Sequence, residues 1–381
     1  MNYTNTMNDQ QSEGGILISA ADSVNFVMEY ESFIHRLVTL GIYPFVEVNS
    51  ECNGQGVRFR LNPELHDALP DDYNTLQLCE IFGLQTLTVK SDLEKEILLA
   101  MLMAPVTFEY PSFKELVASI RVRQYIVEAA RNTALSFHTT KIERPADYWT
   151  YSEDSGFTLL PGKSLIEALR MATQPAVSGQ LYAFACYRAT EYVVLLGIAQ
   201  ELATSNPALF QQLRRHWESR AIMSQQFHDV FLREYGSLNE PLPPKYYVPG
   251  DRLWFKNPDE RSSDVTGYEG SWVFYLGGGI FNNFWKCDKP YTLTEKCLEI
   301  YHWRSGIYTD IDGHLQMDED VVDANVRSSM NNPAEVESIL DRMMRLRDPM
   351  NVYAEGGCID ASREYPRWVC PDASDLVLPD E

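Results

Sequence analysis

"GQLYAFACYRATEYVVLLGIA", residues 179–199, holds one thiol, Cys186, at the mouth of an almost wholly apolar run. Gly179 closes the loop before it, and a helix is expected to begin close to Phe184. From there the chain is apolar on nearly every face through Leu202, the pattern of a central helix surrounded by other elements. A thiol in the first turn of such a helix has two readings. Free cysteine is among the most buried residue types and packs as a small hydrophobe. The unpaired N–H groups and the dipole at a helix start also favour the thiolate, the nucleophilic form. Position alone leaves both open.

Upstream, "YPSFKELVASIRVRQYIVEAARNTA" predicts an amphipathic helix, with Ser112 and Glu115 as a capping box and Phe113, Leu116, Val117, Ile120 and Val127 at helical spacing. "PGKSLIEALRMA" offers a second start at Ser164 and Glu167. Downstream come a polar helical region at 207–234, a proline-rich link, and two strand-like runs, "DRLWF" and "SWVFYL". "SWVFYLGGGIFNNFW" reads as a hairpin whose three glycines supply the positive φ angles of the turn. "TLTEKCLEIYHWRSG" is helical, and beyond Asp318 the chain is acidic, with one helix near 333–347 and an irregular tail. Residues 1–14 are polar and expected to be disordered, and 15–100 mix short apolar runs with breaks in an irregular α+β pattern.

With 381 residues and 45% hydrophobic content the chain can bury a large core, which excludes wholesale disorder. A net charge of -22 repels phosphate backbones and anionic bilayers, so neither nucleic acid nor membrane is expected as a partner. Seven cysteines without a CxxC pair point to reduced thiols in a cytosol-like compartment. The N-terminus, MNYTNTMNDQQSEGG, has neither the basic nor the apolar region of a signal peptide, so a cytoplasmic protein is expected; signal-independent export would leave no such trace.

Other constellations are weak. Asp310, Asp312, Asp318 and Asp320 suggest a calcium loop, but Gly313 stands fourth from Asp310, where an EF-hand needs its glycine sixth. Cys287, Cys297 and His302 lack zinc-site spacing, as do Cys358 and Cys370. The triple glycine at 277–279 lacks the GxGxxG order of a phosphate cradle, and no GxSxG serine elbow occurs. No metal or cofactor is expected.

Five strings occur in order: "APVTFEYPSFKELVASIRVRQYIVEAA", "LPGKSLIEAL", "LYAFACYRATEYVVLLGIAQ", "PGDRLWFKNPD" and "WVFYLGGGIFNNFW". Together they resemble the spore-type bacterial protein-glutamine γ-glutamyltransferases, the small transglutaminases, from about Met103 to Thr309. The most specific are Tyr-Ala-Phe-x-Cys, ending at Cys186, and Gly-Asp-x-x-x-Phe-Lys-Asn-Pro, from Gly250 to Pro258. The resemblance implies an α+β fold with a papain-like or NlpC/P60-like core, a central helix packed on an antiparallel sheet. It implies Cys186 as nucleophile toward a protein glutamine, with a lysine amine resolving the thioester into an isopeptide bond, and no cofactor. Protein glutamine and lysine side chains are then the partners.

Against that family the sequence departs at three places. Ala185 stands where an acid precedes the cysteine. Ser271 stands where a glutamate opens the facing strand, Glu269 matching only with a two-residue shift. Asn282 or Asn283 replaces the histidine after the hairpin. The implied site is therefore Cys186 as nucleophile, Glu269 as base and Asn283 or Asn282 as the orienting group. His302 is an alternative base, although a histidine in "LEIYHW" ordinarily packs or faces solvent. A glutamine deamidase or other cysteine hydrolase, toxins included, would share the nucleophile, and an inactive binding protein would share only the fold. The expected organisation is an N-terminal extension at 15–100, a catalytic core at 101–317 and an acidic C-terminal extension at 318–381.

Overall fold

The computed structural model describes residues 14–19, 26–50, 56–62, 64, 73–137, 143–222, 224–348 and 356–379. Cys52 and residues 1–13 of the expected disordered leader lie outside them. Gly14, its last residue, is buried, and its carbonyl accepts a hydrogen bond from Arg58 at 3.1 Å. The chain is α+β. Among the described residues no helix is long and apolar enough to cross a membrane.

Strands β1 (Gly15–Ile18), β2 (Val46–Ser50), β3 (Val57–Leu61) and β4 (Thr107–Tyr110) form one sheet in the order β2-β3-β1-β4. β4 joins β1 in parallel and the other pairs are antiparallel. Helix α1 (Phe26–Thr39) packs its Phe33 against Phe59 of β3 and Phe113, with ring centroids 5.3 and 5.4 Å apart. The expected boundary at residue 100 thus falls inside a structural unit, because this sheet takes β4 from beyond it. Helix α2 (Lys90–Leu102) is buried along most of its length and carries Glu96 to the glycine turn of the second sheet. There Glu96 accepts from Gly278 N–H at 2.9 Å and from the Tyr275 hydroxyl at 2.9 Å. Gly277, Gly278 and Gly279 all have positive φ, as the turn requires, and a Cβ on Gly277 would lie 2.6 Å from the Glu96 carboxylate.

Helix α3 (Phe113–Asn132) starts at Ser112, whose Oγ accepts from Glu115 N–H at 3.1 Å. The expected box is only half formed. The Glu115 carboxylate, fully buried, instead accepts from the N–H groups of Val369 and Cys370 at 2.9 and 3.0 Å, pinning the C-terminal stretch. Helix α4 (Leu165–Thr173) is capped by Ser164. Helix α5 (Cys186–Ser205) is the expected spine, buried on every side from Ala189 to Ala199. It crosses α3 so closely that a Cβ on Gly197 would meet Ile126 Cγ1 at 2.6 Å and the Ile126 nitrogen at 3.2 Å. Gly197→Val should therefore destabilise the fold by about 3 kcal/mol, since overpacking a tight core costs about 1–3 kcal/mol and a branched side chain sits at the upper end. A lowered denaturation midpoint checks this.

Helices α6 (Pro207–Ser219) and α7 (Ser224–Phe231) make up most of the polar helical region and lead into the second sheet. Its strands are β5 (Leu232–Tyr235), β6 (Arg252–Lys256), β7 (Gly270–Gly277), β8 (Ile280–Phe281), β9 (Tyr291–Thr292) and β10 (Arg363–Pro366), in the order β9-β8-β7-β6-β10-β5. All neighbours are antiparallel. β10 corrects the irregular-tail expectation: residues from the acidic stretch fill the gap between β5 and β6. Helices α8 (Leu293–Gly306), α9 (Glu319–Met330) and α10 (Pro333–Met343) surround a second apolar cluster that takes Leu253 and Phe255 from β6, Val273 and Tyr275 from β7 and Phe281 from β8, and that includes Cys297 and Cys358, whose sulfurs lie 3.7 Å apart.

The Gly-Asp-x-x-x-Phe-Lys-Asn-Pro string proves to be structural. Asp251, fully buried, accepts from Arg123 of α3 at 2.7 Å, from Val248 N–H at 2.7 Å and from the Tyr235 hydroxyl. Gly250 has φ +90°, and a Cβ there would press on Arg123 at 3.0 Å. Asn257 donates to Ser262 Oγ and to the Tyr268 carbonyl, at 2.9 and 2.8 Å, fixing the loop that delivers β7.

Candidate active site

Ala185 is extended, with φ -79° and ψ 150°, and Cys186 is the first helical residue of α5. The strand opposite is β7, which pairs with β6 from Gly270 to Phe274. On its other side β8 reaches only Tyr275 and Gly277, so the edge at Ser271 to Val273 is left to the start of α5. The cysteine is half-buried. Burial raises its thiol above the ordinary value and outweighs the Trp272 and Tyr187 N–H groups and the Lys296 and Arg252 charges, which pull it down. The helix start does favour the thiolate, as the sequence suggests, but its pull is smaller than the desolvation. Burial thus favours the protonated thiol over the thiolate.

Behind it the Tyr187 and Trp272 rings meet edge to face at 5.1 Å. The Arg252 guanidinium lies 3.9 Å from the Trp272 ring and 4.5 Å from that of Tyr187, its Nε donating to Thr190 at 2.8 Å. Arg252 pairs with Glu364 of β10, which also holds His228 Nε2 at 3.0 Å. Hydrogen bonding to Glu364 raises the His228 pKa, and although burial opposes it, the His228 and Arg252 partners hold Glu364 below the usual carboxylate range. Nothing in the local sequence links these residues, since Glu364 arrives from more than a hundred positions away.

Cys186 opens into a small cavity of about 50 Å³. Ser271, Asn282, Asn283, Lys296 and Glu299 line it with the thiol, between walls that include Trp272, Phe284, Trp285 and Trp303. Glu269 does not line it. That side chain is exposed, just before β7, and its carboxylate accepts from Gly267 N–H at 3.1 Å. The residue that does face the cavity is Ser271, the gapless match, because Glu269 precedes the strand whose register points Ser271 inward. Both asparagines reach the cavity. Asn283 spends its amide on its own turn, accepting from Trp285 and Lys286 N–H at 3.1 Å each and donating to the Lys289 carbonyl at 3.3 Å. Asn282, 2% exposed, accepts from Phe274 N–H at 2.5 Å. That bond fixes which end of the amide is oxygen, and its Nδ2 is left without a hydrogen-bond partner among the described residues. A second cavity of about 180 Å³ shares Asn282 and Asn283 and continues between Leu87, Ala130, Leu276 and Ile280, with Arg131 at its wall.

His302 is buried elsewhere, its Nε2 2.8 Å from Ser329 Oγ, and burial lowers its pKa. The acidic 310–320 stretch does not wrap as a calcium loop. Asp310, Asp312 and His314 come within 4.8 Å of one another on a turn where Asp310 accepts from the Asp312 and His314 N–H groups, while Asp318 caps α9. Lys296 is the residue that sequence reading passed over. With Glu299 three positions on, it has the look of an ordinary surface pair.

The family model for protein-glutamine gamma-glutamyltransferase matches residues 81–377, beyond both ends of the expected 101–317 core. A relative of that name from Halalkalibacterium halodurans is 27% identical over 212 residues, 52% of this chain and 66% of the relative. One from Bacillus licheniformis is 26% identical over 179 residues, 44% of this chain and 64% of the relative. One from Bacillus subtilis is 26% identical over 190 residues, 48% and 69% respectively. The matched part spans about two thirds of each relative's length. With most of its length, including the Cys186 helix and the strands around it, inside the family match, the chain belongs to the protein-glutamine gamma-glutamyltransferase family.

Proposed function

We propose that the chain is a papain-like cysteine acyltransferase that joins protein glutamine to a primary amine. The observation that carries this reading is the meeting, in one cavity, of the Cys186 thiol and the unpartnered Asn282 amide donor. Sulfur adds to the carboxamide carbon while Asn282 Nδ2 donates to the oxygen that gains charge. The C–N bond then breaks, and ammonia leaves with the thiol proton. A lysine amine next attacks the thioester; its nitrogen bonds to the acyl carbon, the C–S bond breaks and the surplus proton returns to sulfur. Asn283 serves from behind by holding the 283–289 turn.

The cavity on the far side of Asn282 favours transfer over hydrolysis. Its largely aliphatic wall suits the stem of a neutral lysine better than ordered water. Incubation with a glutamine-bearing protein and a fluorescent primary amine tests this: amine incorporation with matching ammonia release is expected, whereas ammonia alone would mean a deamidase and neither would mean a binding protein. Because Glu269 faces solvent, Glu269→Gln is expected to change the incorporation rate by less than about threefold, where loss of a general base would cost roughly 10²–10⁴-fold. Initial rates of the two proteins decide it.

A further inference from the structure

With Ser271 in the place of the expected glutamate and Glu269 outside, the charge that develops on sulfur has to be met by another group. Among the described residues lining the Cys186 cavity, Lys296 is the one cation. It is 2% exposed. Its Nζ donates to Ser271 Oγ at 3.2 Å, pairs with Glu299 at 2.7 Å and lies 3.9 Å from the centre of the Tyr291 ring. A lysine and a glutamate three apart on a helix normally pair in solvent; this pair is turned inward against the strand that faces the thiol. Taking an ammonium out of water is costly even when it is paired, and an apolar side chain of similar length would serve stability as well or better. The placement is therefore better explained by what the charge does in the cavity.

We propose that Lys296, steered by Ser271 and restrained by Glu299, is the charge partner of Cys186, favouring the anionic sulfur in the electrostatic place of the missing base. It is a positioning residue: no bond forms to it, and the thiol proton still departs with ammonia. The proposal rests on Cys186 as the reactive group but not on which acyl acceptor is used. Among the described residues, the ionisable groups that line the cavity are Lys296 and Glu299 from α8, Tyr268 before β7, Tyr291 from β9 and Glu319 from α9, and Arg252 from β6 also acts on the thiol. Removing the lysine and removing its restraining carboxylate should therefore act in opposite directions.

The test is the pH dependence of iodoacetamide labelling at Cys186 in the full chain, read by mass spectrometry of its peptide so that the other thiols do not interfere. The wild-type midpoint should lie above the ordinary thiol value of about 8.5. Lys296→Met should move it up by about one unit, making labelling at fixed neutral pH about tenfold slower, and Lys296→Arg should restore most of the rate. Glu299→Gln should move it down and speed labelling severalfold. A Lys296→Met profile that coincides with wild type, or a Glu299→Gln shift in the same direction as that of Lys296→Met, overturns the proposal. If Lys296→Met fails to fold by circular dichroism, the Glu299→Gln direction decides alone: downward supports it, while no shift or an upward one overturns it. Labelling uses neither glutamine nor lysine, so opposite shifts beside absent amine incorporation would sink the transferase reading and leave the role of Lys296 standing.

Discussion

Cys186→Ala is expected to lower amine incorporation by at least about 10⁴-fold while leaving the fold intact. Activity and stability should separate here for physical reasons. The sulfur is half-buried at the edge of an existing cavity, and alanine is the best helix former, so its loss should change stability by about 1 kcal/mol or less. In the mechanism proposed above, loss of the sulfur removes the acyl intermediate, and direct exchange between two amides then has no route through the remaining groups. Cys186→Ser should be nearly as inert, because a hydroxyl ionises far less readily than a thiol in the same buried place. The wild-type rate should rise from neutral pH toward alkaline pH, since burial places the thiol pKa above its ordinary value and the thiolate fraction grows until that pKa is reached. More than about one per cent of wild-type incorporation in Cys186→Ala, measured with the fluorescent amine, would remove Cys186 from the mechanism.

Asp251→Ala carries the largest expected loss of stability. It deletes the carboxylate that meets Arg123 and the Val248 N–H, each at 2.7 Å, together with the Tyr235 hydroxyl. What remains is a guanidinium with no exposed surface whose Nε and Nη2 already lack hydrogen-bond partners among the described residues. Stranding one member of a buried ion pair costs about 3–5 kcal/mol, a large share of the roughly 5–15 kcal/mol that holds a domain folded. Urea denaturation of the two proteins measures it. Arg123→Met combined with Asp251→Asn should cost less than the sum of the single changes, because the stranded charge is then gone. A single-mutant loss under about 1 kcal/mol would show that the pair does not clamp α3 to β6.

Local signals were the legible ones. Ser112 and Ser164 mark true helix starts, the apolar surround of α5 follows from its sequence, and three consecutive glycines announce the hairpin turn. Such features are written within a few residues and need no distant partner. Long-range pairings were not legible. Glu115 reads as one half of a capping box, yet its carboxylate serves the backbone of Val369 and Cys370, which no spacing rule connects to it. The four residues of β10, "REYP", have neither the length nor the alternation of a recognisable strand, and only the gap between β5 and β6 makes them one. Of the residues that line the Cys186 cavity, Cys186 and the two asparagines could be picked out, because each sits beside a local landmark. Lys296 could not, since periodicity does not tell an inward pair from an outward one when the helix is enclosed on several sides.

The placement of β10 also orders events at the ribosome. β5 and β6 are synthesised more than a hundred residues before 363–366, and until those residues emerge both strands present unpaired edges, sites where nascent chains readily stick to one another. Over the same interval Arg252 waits without Glu364, so the floor beneath the thiol is unfinished. The surroundings of Cys186 are thus completed only once residue 364 has been synthesised, so a chain that stops short of it lacks both the strand between β5 and β6 and the carboxylate partner of Arg252.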